Sequence, residues 1–315
     1  MSPYLYYDYM AYIERYTRLF TFYRPRVAVL SDSDGEVLMA VPLKGSLTLS
    51  HYRLLGDIQG CDRTDAIFRG DLTRQERVRL SQEFYSRFGA KAKLCRLQEG
   101  SPLVEALPEK RITFRQSMLY VHIAIEGDWE KHSLKLSKGV RQNIRTAFNR
   151  CLRDGKSLRL EVFGPDRPVD DMMWKKIMKL YFERLFSHYK KGKIRNPLEG
   201  LWRHFFYFRL KHDSLSLRRL KNSFHAVLLD EGKVVAFLSG MLTRDGGTLT
   251  VPRLAIDSGY SFYSPGYLLI AEVIDYLWKN TRVRELDMSR GAEKYKYDMG
   301  GAPYTAEDAY ISRSL

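Results

Sequence analysis

"SFYSPGYLLIAEVIDYLWKN", residues 261–280, sets Pro265-Gly266 directly in front of a long apolar run. Just upstream, "GTLTVPRLAI" (247–256) reads as a strand, and downstream "VRELDMS" (283–289) reads as another. Proline lacks a backbone N–H but suits the first turn of a helix, so the pattern predicts a helix over 266–280. Glu272, Asp275 and Lys279 form its one narrow polar stripe. The helix is therefore expected to be buried on most of its circumference, against the sheet. The N-terminus of such a helix gathers free N–H groups and a partial positive charge, so Ser264, Pro265, Gly266 and Tyr267 are candidates for holding an anion.

Working outward, "FHAVLLDEGKVVAFLSGML" (224–242) reads as two apolar strands around an acidic-Gly turn, and "PRVAVLSDSDGEVLMAVPLK" (25–44) reads the same way. Ala28-Val29-Leu30 with Gly35-Glu36-Val37 is echoed by Ala226-Val227-Leu228 with Gly232-Lys233-Val234, which suggests two halves built on one plan. Aromatic-rich helical stretches precede the hairpins, at 4–22 and 170–212. Between the halves, Ser137 can cap a helix that Asp154-Gly155 ends, with Val140, Ile144, Ala147, Phe148 and Cys151 as its apolar stripe. Lys138, Arg141 and Arg145 lie on another face of it and crowd the N-terminal half, where the helix dipole disfavours cations.

The net charge of +15 is concentrated. Residues 131–160 hold nine Lys and Arg against Asp154 alone, and 175–221 hold fourteen against Glu183, Glu199 and Asp213. A concentrated basic surface implies an anionic partner: a phosphorylated small molecule, an anionic lipid surface or a nucleic acid. Cys61, Cys95 and Cys151 are far apart with no CxxC pair, which argues against a disulfide framework or a zinc site. The first residues lack the pattern of a secretory signal, and no run approaches the ~18 apolar residues of a membrane span. A cytoplasmic protein is expected.

Common catalytic signatures are absent: no GxSxG elbow, P-loop, GxGxxG or HExxH. His188, His204 and His225 are read as structural, and "WRHFFYF" (202–208) as core. In "ELDMSRGAEKYKYDMGGAPY" (285–304), a strand ends at Asp287 and is followed by Arg290, Glu293, Lys294 and Lys296. Side chains at strand ends converge on clefts, so Lys296 is a candidate anion ligand and Asp287 a candidate to orient a nucleophilic amine.

Three segments, "LSKGVRQNIRTAFNR" (136–150), "YSFYSPGYLLIAEVI" (260–274) and "LDMSRGAEKYKYDMGG" (286–301), together resemble the Gcn5-related N-acetyltransferase (GNAT) superfamily. More narrowly they resemble the CelD-like branch found with bacterial polysaccharide genes, which is related to the Fem aminoacyltransferases. "SPYLYYDYMAYI" through "RLLGDIQGCDRTDAIF" is similar to that branch's N-terminal region. The resemblance implies a mixed α/β, α+β fold of two tandem GNAT-like domains, 1–130 and 131–315, each a mostly antiparallel mixed sheet flanked by helices. It implies an N-acyltransferase using acyl-CoA, acetyl-CoA first among donors, without a metal. Ser264, Pro265, Gly266 and Tyr267 would cradle the pyrophosphate of coenzyme A, although the loop carries one glycine where the superfamily pattern has two. Asp287 and Lys296 would act in catalysis, with Lys138, Arg141, Arg145, Arg290, Glu293 and Tyr295 contacting an anionic acceptor such as a sugar nucleotide or envelope precursor. The alternatives are a Fem-like transfer from aminoacyl-tRNA and a non-catalytic GNAT-fold binding protein; peripheral association with a membrane surface fits the charge.

Overall fold

The computed structural model describes residues 7–20, 23–45, 51–56, 64–88, 91–98, 100–190, 201, 205 and 217–312. In chain order the elements are α1 (Tyr7–Phe20), β1 (Arg24–Ser31), β2 (Val37–Gly45), β3 (His51–Leu54), β4 (Ile67–Phe68), α2 (Arg74–Arg87), β5 (Lys91–Gln98), α3 (Pro102–Glu105), β6 (Ile112–Ala124), α4 (Trp129–Leu134) and α5 (Lys138–Arg153). Then follow β7 (Leu158–Phe163), α6 (Asp171–Lys190), β8 (Ser223–Asp230), β9 (Lys233–Leu242), β10 (Thr248–Ile256), α7 (Pro265–Asn280), β11 (Glu285–Arg290), α8 (Lys294–Asp298) and β12 (Ala302–Ile311). Most of 202–208, with His204, and Cys61 lie outside the described residues, as does nearly all of 191–212.

Two compact units result: Met1–Tyr120 with Pro303–Leu315, and Val121–Ala302. Against the division expected at 130, the change of unit falls inside β6, and the last strand lies with the first unit. Its side chains give the reason. Ala309 and Ile311 enter the first unit's core beside Leu94 and Leu97, and Tyr304 lies against the Tyr120 ring at 5.3 Å.

In the first unit the strand order is β1-β2-β3-β5-β12-β6, with β4 on β2. The β1/β2 hairpin follows the sequence expectation, its turn tied by Asp32 Oδ1, which accepts the N–H groups of Asp34 at 3.1 Å and Glu36 at 2.9 Å. Thr73 and Glu76 cap α2 reciprocally, and its Phe84 and Tyr85 are buried on the sheet.

In the second unit the order is β6-β11-β10-β9-β8-β7. The β8/β9 hairpin closes on Glu231 and Gly232, both left-handed at φ 48° and 80°, the geometry a two-residue hairpin turn requires. One face of this sheet packs α5 and α7: Val140, Ile144, Ala147 and Cys151 meet Leu269, Val273, Ile274 and Leu277 over Leu238, Leu249 and Leu286. The other face carries α6, whose Trp174, Ile177 and Met178 cover Val227, Phe237 and Ala255. Ser137 caps α5 through the Val140 N–H at 3.3 Å, and Asp154 with left-handed Gly155 ends it. The fold is thus a mixed α/β arrangement of sheet and flanking helices.

Candidate active site

The site begins with a defect in β10. Its pairing with β9 shifts register between Thr250 and Arg253. Pro252, inside that gap, has no N–H to donate. Opposite it, Gly240 lets the backbones close up: a Cβ there would lie 2.2 Å from the Thr250 carbonyl oxygen. On its other side β10 runs parallel to β11 only from Thr248–Thr250 against Glu285–Asp287. Beyond Thr250 and Asp287 no ladder joins the two strands, and the sheet forks.

Side-chain alternation then assigns faces. Leu249, Val251, Leu286 and Met288 belong to the core under α5 and α7, so Thr250 and its register partner Asp287 turn toward the α6 side. The same side carries a polar row across three strands, from His225 through Ser239 to Arg253. His225 Nδ1 lies 2.9 Å from Ser239 Oγ, its ring stands 5.0 Å from Trp174, and Arg253 lies over the Tyr181 ring. Burial, helped by Arg253 and Arg218, holds the His225 pKa down at about 3, so this histidine is neutral. It is a buried structural residue, as the sequence reading expected.

From the end of β10 the chain enters the 3-10 turn Ser258–Tyr263 and then α7. That turn is pinned on several sides. The Tyr260 hydroxyl donates to Asp230 at 2.7 Å, the Tyr263 hydroxyl to Asp154 at 2.9 Å, and Arg150 to the Phe262 carbonyl at 3.0 Å with its guanidinium 4.3 Å above the ring. Ser264 is left-handed at φ 47°, and its carbonyl accepts the N–H groups of Tyr267 at 3.0 Å and Leu268 at 3.3 Å. With Pro265 lacking an N–H, Gly266 is the residue of this turn whose N–H has no acceptor among the described residues. The Tyr267 hydroxyl donates to Asp298 at 2.7 Å, and burial followed by this bond pushes its pKa well up.

At the end of β11 Asp287 is fully buried, and its Oδ1 accepts the Ser289 N–H at 3.0 Å. Ser289 is itself left-handed at φ 57°. Lys296 is buried too, and its ammonium donates to the carbonyls of Arg290 at 2.8 Å, Gly291 at 3.1 Å and Ser289 at 3.3 Å, with Glu293 at 2.9 Å as its ion-pair partner. The lysine gathers the end of β11 into a closed turn. Arg290 and Glu293 are exposed, whereas Tyr295 packs on the core and burial, then Glu293, raises its pKa to about 12.

The basic stripe divides. Arg141 donates to the carbonyls of Leu134 at 3.0 Å and Leu136 at 2.9 Å, closing the end of α4. That bond explains a cation early in α5. Lys138 and Arg145 are exposed, and among the described residues neither has an ion-pair partner. The polar stripe of α7 turns toward a cavity of about 340 Å³, lined by Asp128, Trp129, Phe148, Glu272, Asp275 and Lys279. Within it Asp275 accepts the Trp129 N–H at 3.2 Å and pairs with Lys279 at 2.7 Å.

Sequence reasoning missed Pro252 and Gly240 as makers of the fork, together with Thr250 and Ser289 beside it. The visible signal was the Val-Pro step inside a strand-like run. Among the described residues no group of three or more His, Cys, Asp or Glu side chains could hold a metal ion, and no helix is long and apolar enough to cross a membrane.

The acetyltransferase (GNAT) domain model matches residues 138–297, just over half the chain, and the chain belongs to that family. No curated protein matches it. Among solved structures it is similar to FemX, with TM-score 0.60 and 10% identity over 99% of this chain and 92% of that one. It is similar also to the C-terminal domain of a putative lysylphosphatidylglycerol synthetase from Agrobacterium fabrum (TM-score 0.54, 13% identity, 90% and 83% covered) and to L-PGS from Bacillus licheniformis (0.54, 12%, 97% and 87%). At such identities the likeness is one of fold. The family makes the chain an acyltransferase.

Proposed function

We propose that the protein moves an acyl group from acyl-CoA to an amine on an anionic acceptor, such as a sugar nucleotide or cell-envelope precursor. The fork between β10 and β11, with α7 starting just past the end of β10, is the observation that carries this reading. A donor anchored by its diphosphate at the Gly266 N–H, where the helix dipole favours negative charge, would send its thioester into the fork. Backbone N–H groups beside the β10 register shift would polarise the carbonyl as charge develops on its oxygen. The attacking amine must be neutral, and Asp287, buried at the last pair before the fork, would take its proton. Lys296 would hold the β11 turn that presents this acid, and exposed Lys138, Arg145 and Arg290 would meet the acceptor's phosphates.

A second reading draws on the same turn. A single N–H available over residues 264–268 is a small cradle for a diphosphate, which favours the Fem-like alternative, transfer from aminoacyl-tRNA. Thermal unfolding separates the two. Acetyl-CoA in excess of its Kd is expected to raise Tm by mass action. Gly266→Asp, whose Cβ would lie 3.3 Å from Ile256 Cγ2 and so fits with little adjustment, is expected to abolish that rise while leaving the apo Tm nearly unchanged. No rise in wild type at millimolar acetyl-CoA, with tight, salt-dependent binding of tRNA, would establish the second reading.

A further inference from the structure

Within Val121–Ala302, two buried hydroxyls have no hydrogen-bond partner among the described residues, those of Thr250 and Ser289. Both flank the fork. Thr250, 0% exposed, stands in register with Asp287 at the last β10/β11 pair, and Ser289, 4% exposed, lies two residues further along β11. A buried hydroxyl left without a partner carries an uncompensated desolvation cost, and such groups are rare in native structures. Ser289 adds a second cost, because its backbone is left-handed, a conformation that disfavours residues other than glycine. The fold maintains it with two devices: Asp287 accepts the Ser289 N–H, and the Lys296 ammonium binds the carbonyls of 289, 290 and 291. Valine at 250 and alanine at 289 would remove the unpartnered hydroxyl with little change of shape, so each hydroxyl is kept at a cost.

We propose that Thr250 and Ser289 are the residues that hydrogen-bond the acyl thioester, one from each prong of the fork. This rests on the acyl-CoA reading above and adds two catalytic residues to it. The hydroxyls donate to the thioester carbonyl oxygen, which gives two costly orphans a partner only when substrate is bound.

The test replaces one hydroxyl by a nucleophile. Ser289→Cys is incubated with acetyl-CoA, and the peptide carrying position 289 is weighed by mass spectrometry. The introduced sulfur attacks the thioester carbon, the bond from that carbon to the coenzyme sulfur breaks, and the thiol proton leaves with coenzyme A as free thiol. One acetyl group is expected at position 289, none at the buried Cys95 and Cys151, and excess free coenzyme A is expected to suppress it. In parallel, Thr250→Val is expected to weaken acetyl-CoA binding about 10-fold while leaving coenzyme A binding unchanged, the scale of one lost hydrogen bond. A merely structural threonine would alter both alike. Acetyl-CoA that raises the wild-type Tm but neither modifies position 289 nor discriminates Thr250→Val from wild type overturns the inference and leaves the donor reading standing. Absence of any Tm rise in wild type overturns both. Should Ser289→Cys fail to fold, the affinity ratio for Thr250→Val decides the question alone.

Discussion

Lys296 shows what a sequence hides at the scale of one side chain. In "EKYKYD" it reads as a charge beside a strand end, and the family resemblance implies that it works on substrate. In the structure its three N–H groups face three backbone carbonyls and the Glu293 carboxylate. Nothing in the local pattern announces this, because the acceptors are main-chain oxygens that exist at every residue. Lys296→Met leaves those carbonyls without a donor in a buried turn, and the loss is expected to be about 3 kcal/mol or more. Urea unfolding measures it, and an unchanged midpoint with depressed kcat would return Lys296 to a direct role in the reaction. Ser289 gives the opposite signature. Ser289→Gly relieves the left-handed strain and is expected to raise stability by roughly 1 kcal/mol while lowering turnover, the trade between stability and activity that strained sites display.

At the scale of elements, punctuation was legible and consequence was not. The start of α7 at Pro265, the cap of α5 at Ser137 and both Gly-containing hairpin turns follow from local chemistry that the sequence spells out. The fork does not, because it needs Pro252 on one strand and Gly240 on its neighbour, and their juxtaposition depends on register. Gly240→Ala is expected to push β9 and β10 apart, since its Cβ would overlap the Thr250 carbonyl oxygen. A loss of about 1–3 kcal/mol, the usual scale of overpacking, is expected in unfolding experiments, and an unperturbed midpoint would mean that the bulge has room to spare. The basic stripe of α5 separates in the same way. Arg141→Ala is expected to lower Tm by freeing the carbonyls that end α4, whereas Lys138→Glu with Arg145→Glu is expected to leave Tm nearly unchanged and to weaken an anionic acceptor. Equal thermal effects from the two changes would erase that distinction.

At the scale of the whole molecule, the two repeated hairpins and the order of strands in the second half were readable, but the closing strand was not. "APYTAEDAYI" carries no mark that assigns it to the first unit, since the small Ala306 and Ala309 fit there through packing far away in sequence. The same long-range burial controls how the protein responds to acid. In the second unit burial lowers the pKa of His132, whose Nε2 meets the Met299 carbonyl at 3.0 Å, and that of His225 to about 3, from an ordinary value of 6.5. Because the folded pKa lies below the unfolded one, the unfolded chain binds the extra proton. The stability these histidines contribute is fully present above pH 6.5 and falls as pH drops below it, with a slope approaching about 1.4 kcal/mol per unit for each fully coupled histidine. Asp154, Asp230, Asp257 and Asp298 have lowered values and act only nearer or below 3.8. Asp65 in the first unit works in the other sense: burial raises it to about 6, so its contribution is present at low pH and lost as pH rises through 6. His225→Gln removes one term from this balance. Between pH 7.5 and 5 the urea midpoint of the variant is expected to decline less steeply than that of wild type, even if its value at pH 7.5 is lower. Parallel slopes would mean that His225 takes up its proton in the folded state, against the apolar cover that Trp174 and α6 provide.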